Sequence, residues 1–316
     1  MFTAAQFNQG NSSRLSWRWL TIVLFSLSAI SAVQAQDEDR LQVGITLHPY
    51  YSFVANIVGD RADVVPLVTA GSNPHNYMPQ SGDMRRALSM DVLVVNGIGH
   101  DEWAFEIIEA AGRTDNLPLI YANDGVPLIP IAGDSGDDKV VNPHTFISIT
   151  TAIQQIYTIA QELGAVDPEN ADFYRDNARA YGLQLRRLKA GYMSQLAELD
   201  ASNFRCATMH GAYGYLMQEF GLRVVAVIEP RHGVQPTARQ LADTIDKIEG
   251  ADVNVLFAEK YFTSNLSDTI QEATGVNMFA FSHMSDGEFS ADLFEQETRN
   301  NLDTLLEAVR SAANGG

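Results

Sequence analysis

The fold of this chain is decided by residues 167–199, which read DPENADFYRDNARAYGLQLRRLKAGYMSQLAEL. The aspartate and proline that open the segment are typical of a helix start, with aspartate as the cap and proline in the first turn. Apolar residues then return at alternating four- and three-residue steps, with charged residues between them. This spacing predicts one helix of about thirty residues and about 45 Å, long enough to run the length of two lobes. The apolar positions are Tyr174, Ala178, Tyr181, Leu185, Leu188, Tyr192, Leu196 and Leu199.

Strand-like apolar runs alternate with helical patterns on both sides of this segment. Before it, a strand at 42–47 is followed by a helix at 50–58 and a further strand at 92–95; after it, a strand at 205–209 precedes a helix at 213–220. Such alternation is typical of a parallel sheet with helices on its faces. We therefore predict an α/β protein of two lobes, each a parallel sheet flanked by helices, joined by one long rigid helix. No sequence repeat is visible, but we expect a structural one.

The expected boundaries follow from these patterns. We predict an N-terminal lobe over residues 36–166, a linking helix over 167–200, and a C-terminal lobe over 201–316 whose last helix begins at residue 289. Residues 1–35 are predicted to be a secretory signal peptide, because two arginines precede an apolar stretch that ends in a Val-Gln-Ala cleavage site. The apolar stretch is shorter than the roughly 20 residues that cross a bilayer as a helix. We expect the exported protein to be free in the periplasm of a Gram-negative bacterium.

The charge and the cysteine content restrict the function further. The formal net charge is −18, and removal of a signal peptide with two arginines and no acidic residue would bring it to −20. Nucleic acid is therefore excluded as a partner, because binding it needs a positive surface. The only cysteine, Cys206, lies far from the predicted cleavage site, so we expect no lipid anchor and no intramolecular disulfide. We interpret Cys206 as an inert core residue of a strand, and we expect a monomer.

Four of the seven histidines follow strand-like runs at nearly even intervals: His75, His144, His210 and His283. This spacing predicts one imidazole from each of four loops, converging in the cleft between the lobes. Neutral imidazole is the commonest borderline metal ligand, and a set of imidazoles suits tetrahedral Zn²⁺. The other three histidines are interpreted as structural, although the first and last of them could border the cleft; they are His48, His100 and His232.

Five motifs are more specific than this spacing. They are Ser72-Asn-Pro-His75, Asn142-Pro-His144, Asp167-Pro-Glu-Asn170, His210-Gly-Ala-Tyr-Gly-Tyr215 and Glu229-Pro-Arg-His-Gly-Val-Gln-Pro236. Together they resemble the zinc- and manganese-specific solute-binding proteins of bacterial ABC importers, over essentially the whole chain after residue 35. The resemblance implies two lobes joined by one rigid helix, with a metal between them, and it places His75, His144 and His210 in the first three ligand positions. Histidine in the third position accompanies zinc in that family and glutamate accompanies manganese, in agreement with the ligand preferences of the two ions.

The fourth ligand position departs from the family's pattern. Where the resemblance implies an aspartate after the last strand, this chain reads Phe281-Ser-His-Met-Ser-Asp-Gly287. We predict His283 as the fourth ligand, with Asp286 or a water molecule as alternatives. Glu259 could accept a hydrogen bond from a ligand imidazole, or it could be an ordinary surface carboxylate. The acidic stretch 133–138 stands where many zinc-specific relatives carry a histidine-rich loop, and either gathers cations or is a solvated loop.

These observations predict a periplasmic protein, not an enzyme, that binds Zn²⁺ as its transported ligand and delivers it to an ABC permease. A zinc metallochaperone could load the site. A manganese or iron importer component on the same scaffold, with Mn²⁺ as the bound ion, is the leading alternative. A zinc hydrolase also uses three histidines and an open position, but the sequence lacks a His-Glu-x-x-His motif. An adhesive or metal-buffering role is a further alternative. Because protons compete for imidazole, the affinity for zinc is expected to fall below about pH 6.

Overall fold

The computed structural model describes residue 1 and residues 40–131, 141–229, 237–260 and 265–314. The predicted signal peptide, the acidic stretch 133–138 and His232 lie outside the described residues. Residues 41–316 form one unit, which contains both sheets. Among the helices of the described ranges, none is both long enough and apolar enough to cross a membrane.

The first lobe is built on a sheet of four parallel strands. They are β1 (Leu41–Ile45), β2 (Ala62–Pro66), β3 (Val92–Val95) and β4 (Leu119–Tyr121), in the spatial order β2-β1-β3-β4. The Val-Leu-Val-Val sequence of β3 is completely buried, as expected for a strand covered on both faces. The helices of this lobe are α1 (His48–Val58), α2 (Ser81–Leu88), α3 (Glu102–Ala110) and α4 (Ile149–Val166).

The long helix between the lobes is α5 (Ala171–Ala197), with 27 residues and a length of about 40 Å. Its buried face contains Tyr174, Ala178, Tyr181, Leu185, Leu188 and Tyr192, which confirms the predicted periodicity as far as Tyr192. Leu196 is only half-buried, and Leu199 lies beyond the end of the helix. The helix starts later than the sequence predicts, because residues 168–170 form a 3₁₀ turn. Asp167 does not cap the helix; its carboxylate accepts hydrogen bonds from the side chains of Asn170 and Tyr174 at 2.8 and 2.6 Å.

The second lobe repeats the topology of the first. Its parallel strands are β5 (Cys206–His210), β6 (Val224–Glu229), β7 (Val255–Glu259) and β8 (Asn277–Phe281), in the order β6-β5-β7-β8. The helices are α6 (Gly214–Glu219), α7 (Ala238–Gly250), α8 (Asn265–Thr274) and α9 (Leu293–Asn314). The expected structural repeat is therefore present. Cys206 is fully buried and burial raises the pKa of its thiol to about 12, which confirms it as a core residue.

One apolar core runs through both lobes. It joins the first sheet, α5 and one face of the second sheet, for example through Val94, Leu185 and Phe257. A smaller cluster, which includes Met209 and Ile248, covers the other face of the second sheet. Separating the lobes would expose the shared core to water, which is unfavourable. The fold therefore favours small movements between the lobes over wide opening.

The start of the last helix also contacts the first lobe. Phe294 in its first turn packs edge-on against Phe53 of α1, with ring centres 4.8 Å apart. Before the helix, the hydroxyl of Ser52 donates a hydrogen bond to the carbonyl of Ser290 at 2.8 Å. The sequence predicts a helix start at residue 289, whereas α9 begins at Leu293. The difference arises because the residues just before the helix contact the first lobe.

Candidate metal site

Histidines gather at the carboxyl ends of the strands. In open α/β sheets, ligands bind at these ends, near the point where the strand order reverses. Here the order reverses between β1 and β3 in the first sheet and between β5 and β7 in the second. Each of the six histidines in the described residues lies at the end of a strand or in the connection that follows one, in both lobes: His48, His75, His100, His144, His210 and His283.

The four predicted ligands come together at one point between the lobes. His75, His144, His210 and His283 each offer a ring nitrogen, and these four atoms lie within 4.8 Å of one another. The Nε2 atom of His75 lies 3.4 Å from Nε2 of His283 and 3.5 Å from Nε2 of His144. The Nε2 atoms of His144 and His210 are 3.2 Å apart. The structure thus unites donors that lie as far apart in the sequence as residues 75 and 283.

These distances fit a tetrahedral ion. With zinc–nitrogen bonds of about 2.0–2.1 Å, neighbouring donor atoms of a tetrahedron lie about 3.4 Å apart and the imidazole ring centres about 5.2 Å apart. Three Nε2–Nε2 separations within the group run from 3.2 to 3.5 Å. The six ring-centre separations within the group run from 4.7 to 6.0 Å. Three of the six donor separations, and the ring-centre separations as a group, are therefore close to those of a tetrahedral zinc site.

Three of the four imidazoles are enclosed by protein and one lies at the rim. His144, His210 and His283 are 1%, 3% and 2% exposed, whereas His75 is half-buried. Burial, followed by the nearby imidazole of His100 and those of the other site histidines, holds the pKa of His144 well below its usual value of 6.5. His144 is therefore neutral at neutral pH, and neutral imidazole is the form that binds a metal.

Hydrogen bonds orient the ligand loops. The Oδ1 atom of Asn142 accepts from the main-chain N–H of His144 at 3.1 Å and lies 2.8 Å from its Nδ1. In the first loop, Oδ1 of Asn73 accepts from the main-chain N–H of His75 at 3.0 Å. The indole N–H of Trp103 donates to the carbonyl of Pro74, next to His75, at 3.1 Å.

The loop that carries His283, the predicted fourth ligand, is hydrogen-bonded to the last helix. The main-chain N–H of Ser282 donates to Oδ1 of Asn301 on α9 at 2.7 Å, and Nδ2 of Asn301 donates back to the carbonyl of Ser282 at 2.9 Å. This pair of bonds places His283 in the group of four imidazoles. Asp286, the alternative to His283, is not part of that group; its carboxylate lies beside Gly71, near His48.

Two other candidate residues are buried. Glu259 ends β7 and is only 3% exposed, so its interpretation as an ordinary surface carboxylate is wrong. His48 is 9% exposed; its Nε2 lies 2.9 Å from the carbonyl of Gly287, and its ring stacks on Phe289 with centres 4.4 Å apart. A cavity of about 20 Å³, room for a single water molecule, lies between His48 and the site and is also lined by His283.

Sequence reasoning missed a fifth imidazole, that of His100. Its ring centre lies 4.3 Å from that of His75, 4.7 Å from that of His144 and 5.4 Å from that of His283. The side chain is 7% exposed. The prediction of a purely structural role for His100 therefore missed that its ring lies beside three of the four converging rings. A usable signal was its position in the Gly-Ile-Gly-His sequence directly after β3, which matches the placement of the other site histidines.

The loop of His100 holds this imidazole in a strained backbone conformation. Its φ of 93° lies in the left-handed region, which non-glycine residues rarely adopt. The buried carboxylate of Asp101 accepts from the main-chain N–H groups of Asn96 and Gly97 at 2.6 and 3.1 Å and from the hydroxyl of Thr46 at 2.7 Å. Burial raises the pKa of Asp101, and these hydrogen bonds act in the opposite direction. Backbone strain kept in this way is commonly found at functional sites.

Two α/β lobes of equal topology, with donor side chains gathered between their strand ends, define a metal-binding solute-binding protein of the kind that serves ABC importers. A family model described as ZnuA, zinc-uptake complex component A periplasmic, matches residues 43–308. The chain belongs to this family, and the resemblance seen in the sequence is confirmed.

Relatives within this group differ in the metal they are named for. The manganese ABC transporter substrate-binding lipoprotein PsaA of Streptococcus pneumoniae serotype 4 is 25% identical over 303 residues, covering 92% of this chain and 98% of that protein. The zinc-binding lipoprotein AdcA of the same strain is 25% identical over 270 residues, covering 81% of this chain and 53% of that protein. Sequence similarity at this level is compatible with either metal.

Solved structures extend the range of ions. The solute-binding protein FpvC of Pseudomonas aeruginosa, solved with Ni²⁺ and with Mn²⁺, is 49% identical with a TM-score of 0.81; these structures cover 87% of this chain and 98% and 100% of their own. A crystal structure of ZnuA is 25% identical with a TM-score of 0.72, covering 86% of this chain and 100% of its own. The predicted fold of two lobes and a long helix is therefore confirmed.

Proposed function

We propose that this protein captures a divalent transition-metal ion in the periplasm, with zinc as the first candidate, and delivers it to an ABC permease. The observation that carries the proposal is the convergence of four imidazole nitrogens within 4.8 Å of one another between the two lobes. We propose His75, His144, His210 and His283 as the ligands. Three of them are enclosed by protein and held near one another by the fold, and donors that are already in position favour high affinity.

The donor set favours zinc over manganese. All four atoms of the group are imidazole nitrogens, which suit borderline ions such as zinc, whereas manganese prefers carboxylate, carbonyl and water oxygens. The donor spacing also fits a tetrahedron, the geometry that zinc adopts most often in sites closed by four protein ligands. Zinc further stands near the top of the affinity order of divalent ions for a given site.

His100 supports a second candidate, an importer component for manganese or iron. Its ring centre lies within 5.4 Å of those of three proposed ligands, so a small movement would add a fifth nitrogen. Tetrahedral zinc gains little from a fifth ligand, whereas ions that prefer five or six ligands gain more. The relative FpvC, 49% identical, was solved with Ni²⁺ and with Mn²⁺, which supports a site that accepts more than one ion.

The same geometry speaks against a hydrolase. A catalytic zinc site keeps one position open for water or substrate, whereas four imidazole nitrogens are available here within 4.8 Å of one another. We therefore propose binding and transfer without chemistry, by a monomer that a metallochaperone could load. Two relatives are named lipoproteins, whereas the single cysteine of this sequence, Cys206, is buried in β5.

The test is the metal content of the protein purified from the periplasm, followed by titration with Zn²⁺, Mn²⁺ and Fe²⁺ against a competing chelator. We expect one tightly held zinc per chain. The His283→Ala variant should bind zinc at least about tenfold more weakly, since even outer-shell changes cost about 10–100-fold. His48→Gln is the control, because a glutamine can still donate to the carbonyl of Gly287. Tighter retention of manganese or iron than zinc would establish the second candidate, and absence of any bound metal would refute the proposal.

A further inference from the structure

The side chain of Asn142 lies between the two lobes, and its surroundings determine which way round the amide is placed. The carbonyl of Gly211 can only accept a hydrogen bond, so the atom 2.8 Å from it is Nδ2 of Asn142. The main-chain N–H of His144 can only donate, so the atom that it meets at 3.1 Å is Oδ1. Two independent contacts thus require the same orientation of the amide.

This orientation determines the tautomer of His144. The Nδ1 atom of His144 lies 2.8 Å from Oδ1 of Asn142, which carries no hydrogen, so Nδ1 must hold the ring proton. The other ring nitrogen, Nε2, then keeps its lone pair. It lies 3.2 Å from Nε2 of His210 and 3.5 Å from Nε2 of His75. The lone pair is therefore available at the point where the proposed ligands converge.

The segment after His210 contacts Asn142 on its main-chain side as well. The hydroxyl of Tyr215 donates to the carbonyl of Asn142 at 2.9 Å and accepts from the main-chain N–H of Ile129 at 3.1 Å. Asn142 has no exposed surface, so water cannot replace its amide without a rearrangement. Because Gly211 directly follows His210, one buried side chain is hydrogen-bonded to the ligand segment of each lobe.

We propose that Asn142 is a positioning residue that sets the tautomer and orientation of His144 and ties this first-lobe ligand to the segment that carries His210 in the second lobe. The inference rests on the proposed metal-binding function. Hydrogen bonds from metal-binding histidines to outer-shell groups orient the ring and tune its strength as a ligand. An amide does so without adding a negative charge, so it leaves the charge of the bound ion unchanged.

The test compares three variants of the full-length protein in zinc titrations against a chelator. Asn142→Ala should weaken zinc binding by about 10–100-fold, the usual cost of losing an outer-shell partner. Asn142→Asp keeps an acceptor for the Nδ1 proton but cannot donate to the carbonyl of Gly211, so it should recover only part of this loss. Asn73→Ala is the matched control, since Asn73 accepts from the main-chain N–H of His75, and its effect should stay below about threefold, within the cost of one ordinary hydrogen bond.

A second readout separates positioning from general damage to the fold. In metal-free protein labelled with ¹⁵N histidine, NMR should show the Nδ1-protonated tautomer of His144 in the wild type, Asn142→Asp and Asn73→Ala, and a mixture of tautomers in Asn142→Ala. Unchanged zinc affinity in Asn142→Ala would overturn the proposal, as would a loss equal to that of Asn73→Ala. If Asn142→Ala does not fold, a His144 protonated on Nε2 in wild type or Asn142→Asp would overturn it. Failure of the wild type to bind any metal would refute the proposed function instead, while the tautomer comparison would still test Asn142.

Discussion

The tripeptide Asn-Pro-His occurs twice in this protein, at residues 73–75 and 142–144, and the two copies occupy different environments. In both, the asparagine oxygen accepts from the main-chain N–H of the histidine, at 3.0 and 3.1 Å. The first copy lies at the rim, where its histidine is half-buried. In the second, Asn142 and His144 are 0% and 1% exposed, and the asparagine also contacts the imidazole and the other lobe.

The difference shows that a local motif sets only the local turn. The hydrogen bond from asparagine to the residue two positions on is an Asx-turn, which depends on the tripeptide alone. What the histidine then does depends on the surroundings that the fold supplies. The inner copy is enclosed by protein, whereas the rim copy is the one that solvent can reach. The following predictions test this distinction between inner and rim ligands.

Removal of each histidine should have unequal consequences. His144→Ala should weaken zinc binding by at least about a hundredfold, the upper end of the cost of losing even an outer-shell group, because no solvent can reach the inner position to replace the imidazole. His75→Ala should cost less, since water can occupy the rim position. Chelator-competition titrations of both variants would measure the difference. Equal losses would show that the inner and rim positions are equivalent.

The start of α4, which follows the inner copy in the sequence, also contacts the other lobe, and this contact should contribute to the stability of the protein. The carboxylate of Glu219 on α6 accepts from the main-chain N–H groups of Ile149 and Thr150 at the start of α4, at 3.0 and 2.8 Å, and lies 3.2 Å from Nζ of Lys189. Glu219→Ala leaves these donors without their acceptor and should cost about 2 kcal/mol of unfolding free energy. Denaturant unfolding would measure it, with the exposed Glu162→Ala as control. A loss no greater than that of the control would rule out a clamp between α6 and α4.

Burial of the inner imidazole should make stability depend on pH. The pKa of His144 lies well below 6.5 in the folded protein, chiefly because of burial, whereas in the unfolded chain it is about 6.5. The unfolded state therefore binds more protons as the pH falls below about 6.5, and the metal-free protein should lose stability there. Melting temperatures from pH 7.5 to 5.5 should fall less steeply in His144→Gln than in the wild type. If the melting temperature depends on pH equally in the two proteins, His144 is not the cause of the pH dependence.

The same shift bears on the pH dependence of zinc binding. The sequence predicts a loss of affinity below about pH 6, from the ordinary pKa of histidine. Since His144 resists protonation, it should not contribute to this loss until the pH falls below its own lowered pKa. Zinc titrations at descending pH would test whether binding persists below pH 6. Complete release between pH 6.5 and 6 would show that the other ligands govern the competition with protons.

His100 touches both copies of the motif, and its replacement should have the smallest effect on stability. Its ring centre is 4.3 Å from that of His75 and 4.7 Å from that of His144. His100→Gly removes the ring and relieves the strain of a φ of 93°, so the net change in stability should lie within about 1 kcal/mol. The ratio of nickel to zinc affinity should fall, because the fifth nitrogen is lost. An unchanged ratio would assign His100 a purely structural role.

Much of the fold could be predicted because its signals are local. The periodicity of α5, the alternation of strands and helices and the apolar run of β3 all depend on residues close together in the sequence. The sequence places the start of α9 four residues too early, because the carbonyls of Ser290 and Ala291 in the preceding segment accept hydrogen bonds from Ser52 and Asn56 of a distant helix. Patterns within one segment cannot report such contacts.

The candidate site, too, could be predicted only where its signals are local in the sequence. The four converging histidines could be selected from their places after strands and from the motifs around them. His100 shares the position after a strand with the other four but matches none of the motifs around them, and that position alone does not show where the side chain points. Glu259 was left open between two interpretations because burial of a carboxylate depends on what covers the strand end, and the structure leaves it 3% exposed.

By itself, the sequence determined the class of fold, the long helix and three of the converging histidines, His75, His144 and His210, since periodicity and motif chemistry act over a few residues. Only the tertiary structure decided that His283 and not Asp286 joins the group, that His100 stands against it, and that Asn142 faces Gly211 across the lobes. These outcomes depend on distances between segments far apart in the chain. Such distances are set by the shared core and the packing of both lobes around α5, and no stretch of sequence encodes them alone.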